Sequence, residues 1–550
     1  MKKISLLLLF MTVVSWTAAA ELTDHMYCRA MNDEMQRALT HLRLKDHAKP
    51  YYIAYWLWHD TEVDISADMG TLAPSVHPAN DAGNILGTVF VSVGSDKQDN
   101  LGFGDSEKYT QGYYNARLPY RFGMAPGYAA IRQQLWQMTD KAYLQAADLY
   151  KKKQNYKRKK NITATLPDVV AEPPAQFAEE ITPFVRPDVA WLEQEVSRIS
   201  SLGKTLDFVE SFEAQLYMLQ SEKYFLNSRG AFAQQVTPWI IFRLNVSFRQ
   251  PDGKTSEVQT RLWLKDASAS ELARAEKKAL DLLAQVRQAY GAKSGSAYIG
   301  PVLLKPRAAA DFIQRAVLED MQNSKPFLWA YSDDDSSAGK LYKKRDLRVS
   351  TDLLTIYDRP LTRYFDGVNL MRFMPVDSEG VAAQNLILVQ NGRVQQFPLT
   401  QRPMDKNHHS NGHAFIDNLY GPRERLTNVF VEPKEQFTDE QMEEKLLERC
   451  RELGLDYGYI LHTPSPSGDL GIERIYTQDG RKETVLNLKW DGNFFTQRDL
   501  RSVRAVGGNA ELAANFSDLV LVTPSILMDE VELVPQEHKP HRKPFISKPK

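Results

Sequence analysis

Between residues 298 and 319 the chain turns from strand to helix within three residues, and that junction restricts the folds open to it more than any other stretch. Tyr298-Ile299-Gly300-Pro301-Val302-Leu303-Leu304 is a β-rich run, Lys305-Pro306-Arg307 closes it, and a helix opens on Ala308-Ala309-Ala310. Neither an all-helical nor an all-β chain contains such a splice, so the segment asks for a mixed architecture.

Upstream, the apolar period switches between helical and strand values. Tyr27, Met31, Met35, Ala38 and Leu42 recur at helical spacing in a helix expected from Thr23 to about Leu44. Tyr51 to Ile65 is aromatic and β-branched, includes Trp56 and Trp58, and reads as a strand pair ending near Gly70. Such an aromatic stripe suits a sugar or peptide, although core packing is the plainer account. A long helix is expected from Ala129 to about Lys160, ending in Lys151, Lys152, Lys153, Lys157, Arg158, Lys159 and Lys160. That cluster marks either an anionic partner or, more plainly, a solvated helix end favoured by the macrodipole. From Ile162 to about Pro187, Pro167, Pro173, Pro174, Pro183 and Pro187 break all periodicity and make an extended connector. After a short helix from Val189 to Leu202, Thr205 to Lys265 alternates like a meander around the turn Pro251-Asp252-Gly253-Lys254. In the next helix Ser268 and Glu271 can form a capping box, Leu272, Ala275, Ala279, Leu282, Val286 and Ala289 share a face, and Gly291 is the stop.

Beyond Ser324 strands dominate, with turns at Asp333-Asp334-Asp335, Asn391-Gly392, Asp479-Gly480 and Asp491-Gly492. One helix interrupts them: Thr438 with Gln441 can cap it, Met442, Leu446, Cys450 and Leu453 share a face, and Gly454 closes it. The 68 basic and 69 acidic residues nearly cancel, so the overall field gives no reason to expect nucleic acid. Cys28 and Cys450 can pair in an oxidising compartment, but their spacing gives neither a disulfide framework nor a metal knuckle. Met1-Lys2-Lys3, an apolar run from Ile4 to about Val14, and Ala18-Ala19-Ala20 have the layout of a secretory signal peptide cleaved after Ala20. The run is shorter than the roughly 20 residues of a membrane span, and no later stretch reaches that length. The mature chain is therefore expected to be periplasmic or otherwise secreted, without a transmembrane anchor.

Several short signatures follow one another in a fixed order. They are Asn227-Ser228-Arg229-Gly230, Gly300-Pro301-Val302, Asp377-Ser378-Glu379-Gly380, Ser410-Asn411-Gly412-His413, Leu455-Asp456-Tyr457-Gly458-Tyr459-Ile460 and Thr523-Pro524-Ser525-Ile526-Leu527. With the 298–319 junction they resemble the TldD/PmbA family, the zinc peptidases and their inactive partners once called modulators of DNA gyrase. The resemblance implies an α+β fold, with a mixed N-terminal domain of long helices over 21–322 and a strand-rich, barrel-like C-terminal domain over 323–537. The signal peptide of 1–20 precedes them, the connector at about 162–187 lies within the first, and a disordered basic tail of 538–550 follows. A channel between the domains is expected to hold peptide in extended form.

For active relatives the resemblance implies zinc held by two histidines of an HExxxH helix and a cysteine of the C-terminal domain, with the glutamate as general base. Two imidazoles and a thiolate leave a position open for water, and the carboxylate takes its proton. Aligned from Ala308, the histidine positions fall at Gln314 and Glu319 and the glutamate position at Arg315. An amide is a poor zinc ligand, a guanidinium cannot act as a base, and Arg315 repels a dication. Cys450, the only cysteine of this half, is on a helix rather than in the strand and loop region where the family places its ligand. The implied protein is a motif-degenerate, PmbA/TldE-like member with no catalytic residue, metal ligand or cofactor of its own. Zinc then belongs to a motif-bearing, TldD-like subunit, with which this chain forms a heterodimer acting on peptide; a homodimer is the other assembly.

Two further readings stay open. One is a metallopeptidase with an unconventional site among His408, His409 and His413, of which His409 and His413 are four apart. Ser410-Asn411-Gly412 is turn chemistry, however, and favours a loop bordering the channel over a helix. The other is a peptide-binding scaffold of the cell envelope. No HExxH, GxSxG or P-loop occurs, so no local motif supports another hydrolase or a nucleotide site.

Overall fold

The structure, a computed structural model, describes residues 25–45, 47–74, 84–104, 113–117, 127–163, 166–322, 328–329, 341–342, 347–417, 421–463, 471–490 and 499–536. The expected signal peptide, the basic tail, and the turns at Asp333-Asp334-Asp335 and Asp491-Gly492 lie outside these residues. The fold is α+β.

The first half is built on one sheet of long antiparallel strands. After helix α1 (Met26–His41) come β1 (Pro50–Asp68) and β2 (Asn84–Ser95), helices α2 (Tyr128–Lys159) and α3 (Val189–Ser201), then β3 (Val209–Asn227), β4 (Phe232–Arg249), β5 (Thr255–Trp263) and helix α4 (Ala269–Ala289). The strand order is β5-β4-β3-β1-β2. The strand pair expected over Tyr51 to Ile65 is instead one uninterrupted strand of 19 residues. No Gly, Pro or Asn interrupts Tyr51 to Ile65, and the chain first reverses at Met69 and Gly70, both with positive φ.

Alternation along the strands separates two buried faces. Along β4, Phe242, Leu244 and Val246 point to the helices, whereas Trp239 and Ile241 point to the second half of the chain. Helices α1 and α2 cover one end of the helical face with Met31, Leu135 and Tyr143. Helices α3 and α4 cover the other end with Leu192, Val196, Leu282 and Val286. Each such apolar side chain contributes roughly 1.5–3 kcal/mol when fully buried.

The lysine-rich end of α2 differs from its expected solvated state. Lys153 is 2% exposed, with Nζ 2.7 Å from Asp168 Oδ2 and 3.7 Å from Asp99 Oδ1, and Lys157 follows it inward one turn later. Four-residue spacing puts both on the buried face, and burial lowers the pKa of Lys153 against the pull of Asp99 and Asp168.

The second half contains two large sheets around one helix. Its strands are β6 (Tyr298–Leu304), β7 (Leu354–Asp358), β8 (Leu386–Gln390), β9 (Arg393–Val394) and β10 (Asn428–Pro433), then, after a further helix, β11 (Tyr457–Leu461), β12 (Ile472–Tyr476), β13 (Lys482–Thr484), β14 (Leu488–Trp490), β15 (Val503–Val506), β16 (Glu511–Asn515), β17 (Val520–Thr523) and β18 (Ile526–Pro535). One sheet runs β13-β12-β11-β6-β18-β14 with β15 beside β18, and the other runs β9-β8-β7-β10-β17-β16. Helix α5 follows β6 and begins as Pro306–Ile313; its Ala309, Phe312, Ile313 and Val317 pack in one core with residues of both sheets. Helix α6 (Asp439–Glu452) lies outside, its capping box between Thr438 and Gln441 formed as the sequence predicts. The Asn391-Gly392 turn joins β8 to β9, both residues having positive φ as a tight hairpin requires.

The expected division at 322 to 323 does not follow the packing. Strand β6 lies between β11 and β18 and is hydrogen-bonded to both, so the strand and its helix belong to the second half. A strand is placed by its pairing partners, here more than 150 residues downstream, and local sequence does not encode them.

Candidate functional site

Strand β6 delivers α5 to the place where a metal helix is expected. Pro306 occupies the first turn, where its missing N–H costs nothing. Past Ile313 the helix widens into a π turn over Gln314–Leu318, closed by Glu319 N–H donating to the Gln314 carbonyl. In a regular α-helix residues five apart point about 140° away from each other. Closure from i to i+5 brings positions 314 and 319 one above the other.

The side chains at this geometry do not suit zinc. Gln314 is half-buried, Arg315 and Glu319 are exposed, and Ala316, Val317 and Leu318 are buried in the core. Arg315 Nε donates to Asp311 Oδ2 at 3.0 Å, one turn back. An amide and one carboxylate on one face, with a guanidinium beside them, are no ligand set for a dication. Among the described residues, no three His, Cys, Asp or Glu side chains gather closely enough to hold a metal. Cys450 packs inside α6 against Leu446, Leu303 and Ile460, and burial pushes its thiol up to about 11. Both cysteines are free and sit in different cores, so they form no disulfide.

The three candidate histidines form a loop and not a helix, and the structure separates them. His408 is buried; its Nδ1 accepts from Met404 N and its Nε2 lies 2.7 Å from the Thr400 carbonyl, which makes Nε2 the donor. His409 stands at the surface beside Glu172. His413 is fully buried, its Nδ1 3.0 Å from both oxygens of Asn411 and its Nε2 3.4 Å from Asp358 Oδ2 without hydrogen-bond alignment. Gly412 forces the separation: its φ is +74°, and a Cβ there would stand 2.4 Å from the Ala382 carbonyl oxygen.

A buried acidic centre beside this loop was not legible as such. Asp377 accepts from Glu379 N and Val381 N through Oδ1 and from Ala414 N through Oδ2, all at 2.9 Å. Glu379 Oε2 accepts from Gln401 N at 2.6 Å. Burial raises the pKa of both carboxyls, and the charge of Asp377 raises Glu379 further. Their only sequence signal is the Asp377-Ser378-Glu379-Gly380 signature, and nothing in its spelling says that both carboxyls are buried. The same turn meets the first half. Asn227 Nδ2 donates to the Glu379 carbonyl at 3.1 Å, while Asn227 Oδ1 accepts from Arg229 N and Ala231 N at 3.0 Å. Two signatures distant in sequence are thus the two sides of one joint.

These features define a two-part α+β protein whose helix after β6 contains a π turn over Gln314–Leu318. The family model for the PmbA/TldA metallopeptidase C-terminal domain matches residues 297–534. Residues 297–534 thus carry the C-terminal domain of the TldD/PmbA family. Its fold is similar to that of TldE from Thermococcus kodakarensis, with a TM-score of 0.60 and 14% identity, covering 92% of this chain and 100% of that one. A candidate modulator of DNA gyrase from Thermotoga maritima gives a TM-score of 0.59 at 13% identity, covering 88% of this chain and 96% of that one. Another from Bacteroides thetaiotaomicron gives 0.56 at 12%, covering 92% and 98%. At such identities the likeness is one of fold. No curated protein matches the chain in sequence.

Proposed function

We propose that this protein is the non-catalytic partner subunit of an exported zinc metallopeptidase that acts on extended or unfolded peptides. The carrying observation is the π turn, which stacks positions 314 and 319 while their side chains are an amide and a carboxylate and Arg315 is tied to Asp311. A fold that retains the backbone of a metal site with the donors replaced suits assembly and channel shaping better than hydrolysis. The zinc then resides in a motif-bearing relative with which this chain forms a heterodimer. Export rests on the sequence of residues 1–20.

The test is purification of the chain alone and together with its nearest exported, motif-bearing relative, with zinc content and cleavage of an unfolded protein measured in both samples. Zinc and cleavage are expected only in the pair. Stoichiometric zinc and turnover by the chain alone would overturn the assignment.

A further inference from the structure

A cavity of ≈ 370 Å³ lies where β5 and α4 of the first half meet the start of α5, the N-terminus of α6 and β16 of the second. None of the motif positions 314, 315 and 319 lines it; eight residues of helix, roughly 12 Å of rise, separate Pro306 in its wall from Gln314. Arg261 and Arg307 both line it, and among the described residues neither has a carboxylate partner. The Arg307 guanidinium donates to the Gln259 carbonyl, at 3.2 Å, and that of Arg261 lies over the Phe516 ring at 4.9 Å. The other charges of the wall are largely matched: Lys305 stands 3.3 Å from Asp439, and His462 stands 2.9 Å from Glu473. Among the described residues this leaves Arg261, Arg307 and the exposed Lys278 facing Glu511 alone. Both guanidinium groups are half-buried, and each feels a neighbouring arginine: Arg307 that of Arg261, and Arg261 that of Arg243. Burial, then the charge of Arg261, pushes Arg307 down to about 10, and burial also lowers Arg261.

We propose that this cavity binds a carboxylate between Arg261 and Arg307, as the terminal carboxylate of a peptide or as a small organic acid. Planar guanidinium forks match a carboxylate, and the positive end of α5 adds to the attraction. The volume falls within the range of ligand pockets, and the amides of Gln259, Gln285 and Gln288 offer partners for groups beyond the charge. Strand β5 is the outer strand of its sheet, so among the described residues its outer edge has no strand partner, although Arg307 occupies the Gln259 carbonyl. This assignment goes beyond the partner-subunit function and does not depend on it.

Calorimetric titration of the full chain with acetyl-tetraalanine, its C-terminal amide, and acetate tests it. The acid peptide is expected to bind about tenfold or more tightly than the amide. Acetate binding as well as the acid peptide would identify a free acid as the source and support the same pocket. R261Q and R307Q are expected to abolish the preference for acid over amide while leaving the melting temperature unchanged or higher, since each removes a half-buried charge opposed by a nearby arginine, Arg243 for Arg261 and Arg261 for Arg307. Should either variant fail to fold, R307K keeps the charge without the fork and is expected to weaken the preference in a folded protein. Equal binding of acid and amide, absence of binding by all three probes, or a preference that survives these substitutions would overturn the proposal.

Discussion

Asp377 has three main-chain N–H groups aimed at its carboxylate and no contact with solvent. Alanine there leaves three buried donors unmatched, at about 1–3 kcal/mol each, so D377A is expected to lower the urea unfolding free energy by roughly 3 kcal/mol or more. Gly380, three residues on, has φ +87°, and a Cβ would stand 2.3 Å from the Ala231 Cβ. G380A is therefore expected to cost about 2 kcal/mol or more, and adding A231G should restore part of the melting temperature by removing the contact but not the backbone strain. The raised carboxyls of Asp377 and Glu379 give a pH dependence of defined sign. The fold retains protons that the unfolded chain releases near the ordinary values of 3.8 and 4.5. This contribution is full below those values and is lost as pH rises through the higher folded values. Urea midpoints should accordingly fall from pH 4.5 into the neutral range, and E379Q should flatten the slope; a parent slope of opposite sign in that window would contradict the assignment. In sequence these residues are short signatures with turn chemistry. Their pairing across the two halves is invisible there, because Asn227 and Glu379 meet only when the sheet of the first half docks on the second.

At the scale of elements, helices and hairpins were the legible part. The helix capped by Thr438 and Gln441, the Asn391-Gly392 hairpin and the long α2 follow from local chemistry that acts within a few residues. The π turn in α5 was not legible, since Gln314 to Leu318 has no proline, glycine or other local breaker. Its spacing can be tested directly. Q314H/E319H is expected to gain a visible Co²⁺ d–d absorption that the parent lacks, because only i to i+5 stacking brings the two imidazoles to one ion. Q314H/R315E/E319H is expected to remain without peptidase activity, since no thiolate supplies the third ligand; full hydrolysis by this variant would show that the ligand count is wrong.

For the molecule as a whole, the position of β6 decides where the chain divides. A fragment starting at residue 323 lacks a central strand and the helix that fills the core between the two sheets, whereas one spanning 297–534 retains both. The longer fragment is expected to be soluble with dispersed amide resonances, and the shorter one to aggregate; two equally folded fragments would remove β6 from its structural role. The sequence by itself determined the alternation of helices and strands, their caps and turns, the family likeness and the absence of imidazoles at 314 and 319, because those depend on residue identity and near neighbours. Tertiary structure alone decided that 314 and 319 stack, that Lys153 is buried, that His408, His409 and His413 are parted, and that Arg261 meets Arg307 across a cavity. Each of those depends on strand register and on burial between segments far apart in the chain, for which a linear pattern holds no coordinate.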